Sequence, residues 1–130
     1  AMFAQVQERE DPAPADAGRP SAPQREVAQL MRVRQTLLER LAEPPSLPEL
    51  ARLVGTNQPR LSRGFRALFG TTVFGFLREA RLQRARQLLL ETDWPVKTIA
   101  LEVGYHNTGD LTRSVRDRFG MTPTALREHG

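Results

Sequence analysis

Two arginine pairs with one spacing, Arg63/Arg66 and Arg113/Arg116, are the residues of this sequence best suited to do chemistry. A guanidinium is permanently charged and presents a planar fork of donors, which matches phosphate oxygens and the O6/N7 edge of guanine. Three residues apart on a helix, the members of each pair share a face. The chemistry they suit is recognition of a polyanion. Catalysis has little to work with: His106 and His129 are the only histidines and cysteine is absent. A thiolate nucleophile, a disulfide and a thiolate zinc site are therefore excluded. The sequence also lacks an acidic cluster for two metal ions and a glycine-rich phosphate loop, so neither a cofactor nor an enzymatic activity is expected.

The distribution of charge sharpens this expectation. The chain carries a formal net charge of +4, and of its 19 basic residues all but Lys97 are arginine. Between Arg52 and Arg86 eight arginines face the single acid Glu79, a local charge of +7, whereas Gln87–Gly130 has five basic and six acidic residues. A concentrated positive region is the footprint of a polyanion-binding surface. Arginine-rich codon usage would raise the count but would not concentrate it. No apolar run approaches the ~20 residues of a membrane span, and no secretory leader is recognisable. The lack of cysteine fits a reducing, cytoplasmic setting.

The elements that must position these arginines are helical. Residues 1–23, with four prolines and the acids Glu8, Glu10, Asp11 and Asp16, read as a linker or tail. A domain is expected over 24–130, with a first helix-turn-helix subdomain at 24–70, a linking helix at 72–91 and a second subdomain at 95–130. The first helix starts near Gln24 and carries Val27, Leu30, Met31, Arg34, Leu37, Leu38 and Leu41 at helical spacing, with Pro44-Pro45 as its stop. Ser46-Leu47-Pro48-Glu49 is a capping-box sequence, and Gly55 is placed to end the short helix it starts. Asn57 caps a helix at Gln58–Phe69 that Gly70 ends, and Thr72 starts a longer one reaching Glu91. Further helices are expected near Val96–Val103, Thr108–Arg118 and Pro123–Arg127. Without any sustained period-two alternation, the fold class is all-α with about seven helices.

An internal repeat organises these elements. Leu50, Ala51, Val54 and Gly55 recur as Ile99, Ala100, Val103 and Gly104, and Leu61, Arg63, Phe65, Arg66, Phe69, Gly70 and Thr72 recur as Leu111, Arg113, Val115, Arg116, Phe119, Gly120 and Thr122. Each copy is a short helix, a glycine turn and an arginine-bearing helix, the pattern that lays its second helix in the DNA major groove.

The stretch Ile99–Arg127, IALEVGYHNTGDLTRSVRDRFGMTPTALR, closely resembles the C-terminal signature of the AraC/XylS family of bacterial transcription regulators. Gly104, Tyr105, Asn107, Arg113, Arg116, Phe119, Gly120, Thr122, Pro123 and Arg127 stand where that pattern expects them, and the likeness runs from about Val33 to Arg127. Leu111, Val115 and Leu126 replace usual aromatic residues, and Gly109 stands where a polar residue is usual. Phe69–Leu82 is similar to a subgroup regulating siderophore synthesis and uptake. The resemblance implies sequence-specific binding to double-stranded DNA, two recognition helices in adjacent major grooves, and RNA polymerase as a candidate partner. It also implies an effector-sensing domain ahead of this one. The preceding sequence is too short to hold that domain, so the chain reads as either an excised DNA-binding part or a naturally short member, with the linker-like start favouring excision, and it is expected to be a monomer.

On the first recognition helix, Leu61, Phe65 and Leu68 are expected to point inward, which turns Gln58, Ser62, Arg63 and Arg66 outward. By resemblance, Pro59, Ser62 and Arg63 face base edges, with Arg63 the candidate for guanine, while Arg60 and Arg66 reach phosphates. On the second, inward Leu111 and Val115 leave Thr108, Asp110, Thr112 and Arg113 for the groove and Arg116 for a phosphate. Asp110 has a competing role as a stabiliser of its helix N-terminus. Trp94 is expected to staple onto the following helix, and Glu79 and Glu91 to pair with some of Arg78, Arg81, Arg84 and Arg86. The rival function is a helical interaction module whose basic face meets an acidic protein.

Overall fold

A computed structural model describes Gly18 and residues 21–130, so the expected tail lies almost wholly outside the described residues. Among the described residues there are seven helices and no strand: α1 (Ala22–Glu39), α2 (Leu47–Val54), α3 (Gln58–Phe69), α4 (Val73–Glu91), α5 (Val96–Val103), α6 (Thr108–Phe119) and α7 (Pro123–His129). Six of them start where a short polar side chain takes up a free backbone N–H: Ser21, Ser46, Asn57, Thr72, Asn107 and Thr122. At Ser46 the box is reciprocal, since the Ser46 N–H donates to Glu49 Oε1 at 2.8 Å while the Glu49 N–H donates to Ser46 Oγ at 3.3 Å. The bond from the Ser46 N–H, and next the Ser46 side chain, holds the exposed Glu49 carboxyl below its ordinary value.

Two apolar clusters form, one for each half. Leu30, Val33 and Leu37 of α1, Leu50 and Ala51 of α2, Leu61 and Phe65 of α3, and Val73 and Leu77 of α4 make the first. Leu82, Ala85, Leu88 and Leu89 of α4 join Ile99, Ala100, Val103, Leu111, Val115 and Leu126 in the second. Each leucine so enclosed contributes about 1.5–3 kcal/mol relative to leaving it in water. The aromatic side chains concentrate in the first cluster: the Phe65 ring lies 4.6 Å from Phe69 and 5.6 Å from Phe76, the latter edge-on.

The duplication is longer than the sequence repeat suggested. Leu30, Val33 and Leu37 of α1 match Leu82, Ala85 and Leu89 of α4 in order, spacing and burial. Helix α4 therefore closes the first unit with its N-terminal turns and opens the second with the rest. Its two buried stripes differ in direction by roughly 110°, at 3.6 residues per turn, which is why no single apolar face runs along it. At the end of the chain, α7 repeats the first role, with Thr122 capping as Thr72 does.

Several expectations are corrected. Helix α1 begins at Ala22, because Ser21 and Gln24 form a capping box with Pro23 in the first turn. It ends at Glu39, five residues before Pro44, and Leu41 packs on the first cluster from beyond the helix. Val27, Met31 and Leu38 lie outside the α1 core stripe and are 46%, 47% and 38% exposed. Leu68 is not enclosed but 43% exposed, and in that last turn of α3 it is Phe69 that packs on the cluster. Trp94 is no staple. It is 40% exposed, and its carbonyl accepts a hydrogen bond from Arg127 Nη2 at 2.7 Å. That guanidinium also reaches the carbonyls of Leu89 and Thr92, so α7 satisfies the open carbonyl end of α4.

Candidate nucleic-acid interface

Helices α3 and α6 are twelve residues each and begin and end alike. Asn57 Oδ1 accepts from the Arg60 N–H at 3.0 Å, and Asn107 Oδ1 accepts from the Asp110 N–H at 2.8 Å. Gly70 and Gly120 close them at φ +77°. The turns ahead of them are formed by Gly55 at φ +81° and Gly104 at φ +108°, backbone conformations that a side chain would strain. Each recognition helix is thus held at both ends by local chemistry before any tertiary packing is considered.

Packing then chooses the face. Leu61 and Phe65 on α3, and Leu111 and Val115 on α6, are buried at 0–1% exposure. On α3, Gln58, Pro59, Arg60, Ser62, Arg63 and Arg66 are all exposed, Gln58 because it stands in the open first turn. Arg63 stands about 180° from the midpoint of Leu61 and Phe65 at 100° per residue, and Arg66 lies about 60° to its side. Neither these two nor Arg60 makes an ion pair or side-chain hydrogen bond among the described residues. Their positive charge is therefore open to solvent.

The second helix places Arg113 and Arg116 at the same positions, both exposed, with Thr108, Asp110 and Thr112 half-buried. One difference alters its electrostatics. Asp110 stands where α3 has Arg60, and its carboxylate takes Oδ1 to Arg113 Nη2 and accepts from Asn107 Nδ2 on Oδ2 at 3.2 Å. Asp110 thus sits in the first turn, where a negative charge complements the helix dipole, and it neutralises the second helix's central arginine.

The remaining arginines divide by role in a way their spacing did not show. Glu79 pairs with Arg118 from α6 and not with an arginine of its own helix, and Glu91 accepts from Gln87 at 3.4 Å. Arg118 also lies 4.9 Å above the Phe119 ring. Arg81 donates Nε to the Leu41 carbonyl at 2.8 Å, and its burial pushes the guanidinium below its ordinary value. Among the described residues no group of histidines and acids could hold a metal ion, and no helix is long and apolar enough to cross a membrane.

A duplicated helix-turn-helix joined by one long helix, with matched arginines on both second helices, defines a bihelical DNA-binding class. Comparison with known proteins places the chain within it. A family model described as a helix-turn-helix domain matches residues 50–129. The chain is 44% identical over 68 residues to the regulatory protein PchR of Pseudomonas aeruginosa, covering 52% of this chain and 23% of that protein. An AraC-type DNA-binding-domain regulator from Chromobacterium violaceum has the same fold, with a TM-score of 0.73, 29% identity and coverage of 78% and 91% of the two chains. The DNA-binding domain of AdpA, solved in complex with a target DNA, gives a TM-score of 0.71 at 28% identity over 77% of this chain and 90% of that one. This chain belongs to the AraC-type family of helix-turn-helix DNA-binding domains, whose members are transcription regulators. It spans about a quarter of the length of the first curated relatives it matches, 23% and 27%.

Proposed function

We propose that this chain is the DNA-reading part of a larger transcription regulator, and that one copy lays α3 and α6 into successive major grooves of the same duplex. The observation that carries this is the matched presentation of Arg63/Arg66 and Arg113/Arg116 on two equivalent helices separated by α4. Nineteen residues of α4 span about 28 Å at 1.5 Å per residue, and successive grooves on one face of B-DNA recur about every 34 Å. A rigid body of that length engages both grooves with a modest bend in the DNA.

In this reading Arg63 takes a guanine edge, Ser62 and Gln58 reach neighbouring bases, and Pro59 gives an apolar contact. Arg60, Arg66 and Arg116 hold phosphates. On α6, Thr108, Thr112 and Arg113 face the groove, with Asp110 tempering Arg113. An effector would be sensed, and RNA polymerase contacted, by the whole regulator in the cytoplasm; neither role draws on a group identified in this domain. A tandem repeat within one chain imposes no palindrome, so the site is asymmetric and about 15–20 base pairs long.

Hydroxyl-radical footprinting of the monomer on a selected site tests this. Protection in patches about one helical turn apart, on one face of the duplex, is expected. A single protected half-turn, or a symmetric footprint requiring two chains, overturns the two-groove reading. Failure of any motif to emerge from a random DNA pool would favour the acidic-protein partner instead.

A further inference from the structure

The two units meet at Arg81. Its Nε donates to the carbonyl of Leu41, in the segment between α1 and α2 of the first unit, at 2.8 Å. The other side of the same guanidinium faces Gly104, the turn residue of the second helix-turn-helix. A Cβ added there would lie 2.7 Å from Nε and 2.8 Å from both Cζ and Nη2. Three guanidinium atoms at nearly one distance mean that its plane lies against that glycine. One side chain on α4 thus touches the first unit's connecting segment and the second unit's reading turn together.

The internal duplication supplies a control within the molecule. The residue of α1 that matches Arg81 is Gln29, by the alignment of Leu30, Val33 and Leu37 with Leu82, Ala85 and Leu89. Gln29 Nε2 donates to the Val54 carbonyl at 2.8 Å and lies 3.9 Å from the Cβ site of Gly55, the matching turn glycine. In the first unit, then, a glutamine suffices to support the turn. The arginine in the second unit instead lies against the turn glycine and sends its hydrogen bond to Leu41 of the first unit. Around it, Glu79 and Arg118 form a second tie between α4 and α6, but an exposed one that salt screens.

We propose that Arg81 is the positioning residue that locks the two helix-turn-helix units at one relative orientation, and so fixes the spacing of the two DNA half-sites the domain accepts. Long α4 sets the distance between the units. Arg81 removes the remaining freedom by tying the segment after α1 to the turn before α6. Its contribution to binding is avidity: two heads held in register act as one ligand, and two heads that swing do not.

The informative variant is Arg81→Gln, which places at this position the residue that supports the turn in the first unit and removes the reach to Leu41. Because the chain has no cysteine, the pair Ala67→Cys and Asp117→Cys puts spin labels at matching exposed positions of α3 and α6. In DNA-free protein, the parent should give a narrow label-to-label distance distribution and Arg81→Gln a distinctly broader one, with helical content unchanged. Duplexes with the two half-sites moved apart or together by one and two base pairs form the second arm, which rests on the two-groove reading. There the parent's preference for its best spacing should fall about tenfold in Arg81→Gln. A distance distribution as narrow as the parent's, or an unchanged spacing profile, overturns the role of Arg81. A parent that shows no spacing preference overturns the two-groove reading instead, and the distance arm then decides alone whether Arg81 holds the units together.

Discussion

Arg118 of α6 grips Glu79 of α4 with two parallel hydrogen bonds, Nε to Oε1 at 2.9 Å and Nη2 to Oε2 at 2.8 Å. The bidentate pair joins residues 39 apart in sequence and fastens the second recognition helix to the linking helix. Both side chains are more than 40% exposed, so the pair owes its worth to geometry more than to a low-dielectric setting.

Glu79→Gln should lower the melting temperature by a few degrees at most, because exposed ion pairs are weak. The hydrogen bonds from Arg118, then the one from Gln83, hold the Glu79 carboxyl below its ordinary value of 4.5. A lowered folded value means the stabilisation is complete above that ordinary value and is lost as pH falls through the folded one. The difference in melting temperature between parent and variant should therefore be full at neutral pH and close on acidification. A difference that widens toward acid would refute the assignment.

Arg63→Ala should cost about 1–3 kcal/mol on the preferred site and relax the choice at one base pair. Arg66→Ala should weaken binding to all sequences alike and reduce the salt slope by about one. Titrations on a panel of single-base variants at several salt concentrations separate the two. Unchanged base preferences in Arg63→Ala would mean that another face of α3 enters the groove.

The two heads should be unequal. Arg113 is tied to Asp110 whereas Arg63 has no such acid, so Arg63→Ala should lose more affinity than Arg113→Ala. Asp110→Asn should free Arg113, remove a negative charge from the interface and strengthen non-specific binding, with the salt slope rising by about one. Competition assays with random-sequence DNA measure this. Weaker non-specific binding in Asp110→Asn would show that its carboxylate contributes to contact with DNA.

Phe65→Ala should destabilise the first unit by about 3–5 kcal/mol, since the ring is fully buried and packs on two others. Leu68→Ala, one turn further along α3, should change stability little because Leu68 is 43% exposed. Urea unfolding of both variants checks the pair. Equal losses would place Leu68 in the core after all.

By itself the sequence determined what depends on neighbours within a turn or two. Caps at Ser46, Asn57 and Thr72, glycine stops at Gly55, Gly70, Gly104 and Gly120, and the inward pairs Leu61/Phe65 and Leu111/Val115 all follow from contacts three or four residues apart, which local spacing encodes. The repeat likewise made the two recognition helices and their outward arginines legible. Tertiary structure alone decided which arginines are available. Arg118 and Arg127 look like any other charge on an amphipathic helix, yet each is committed to a partner 33 to 39 residues away, and the bond from Arg81 to the Leu41 carbonyl spans 40. The extension of the duplication to α1 and α4 was hidden for a related reason. Because α4 serves two clusters on two faces, its apolar residues never line up as one stripe, and only packing separates them. Leu68 shows the same limit: by spacing it shares the face of Leu61 and Phe65, yet it is 43% exposed, because periodicity says which residues share a face but not which of them a neighbouring helix covers.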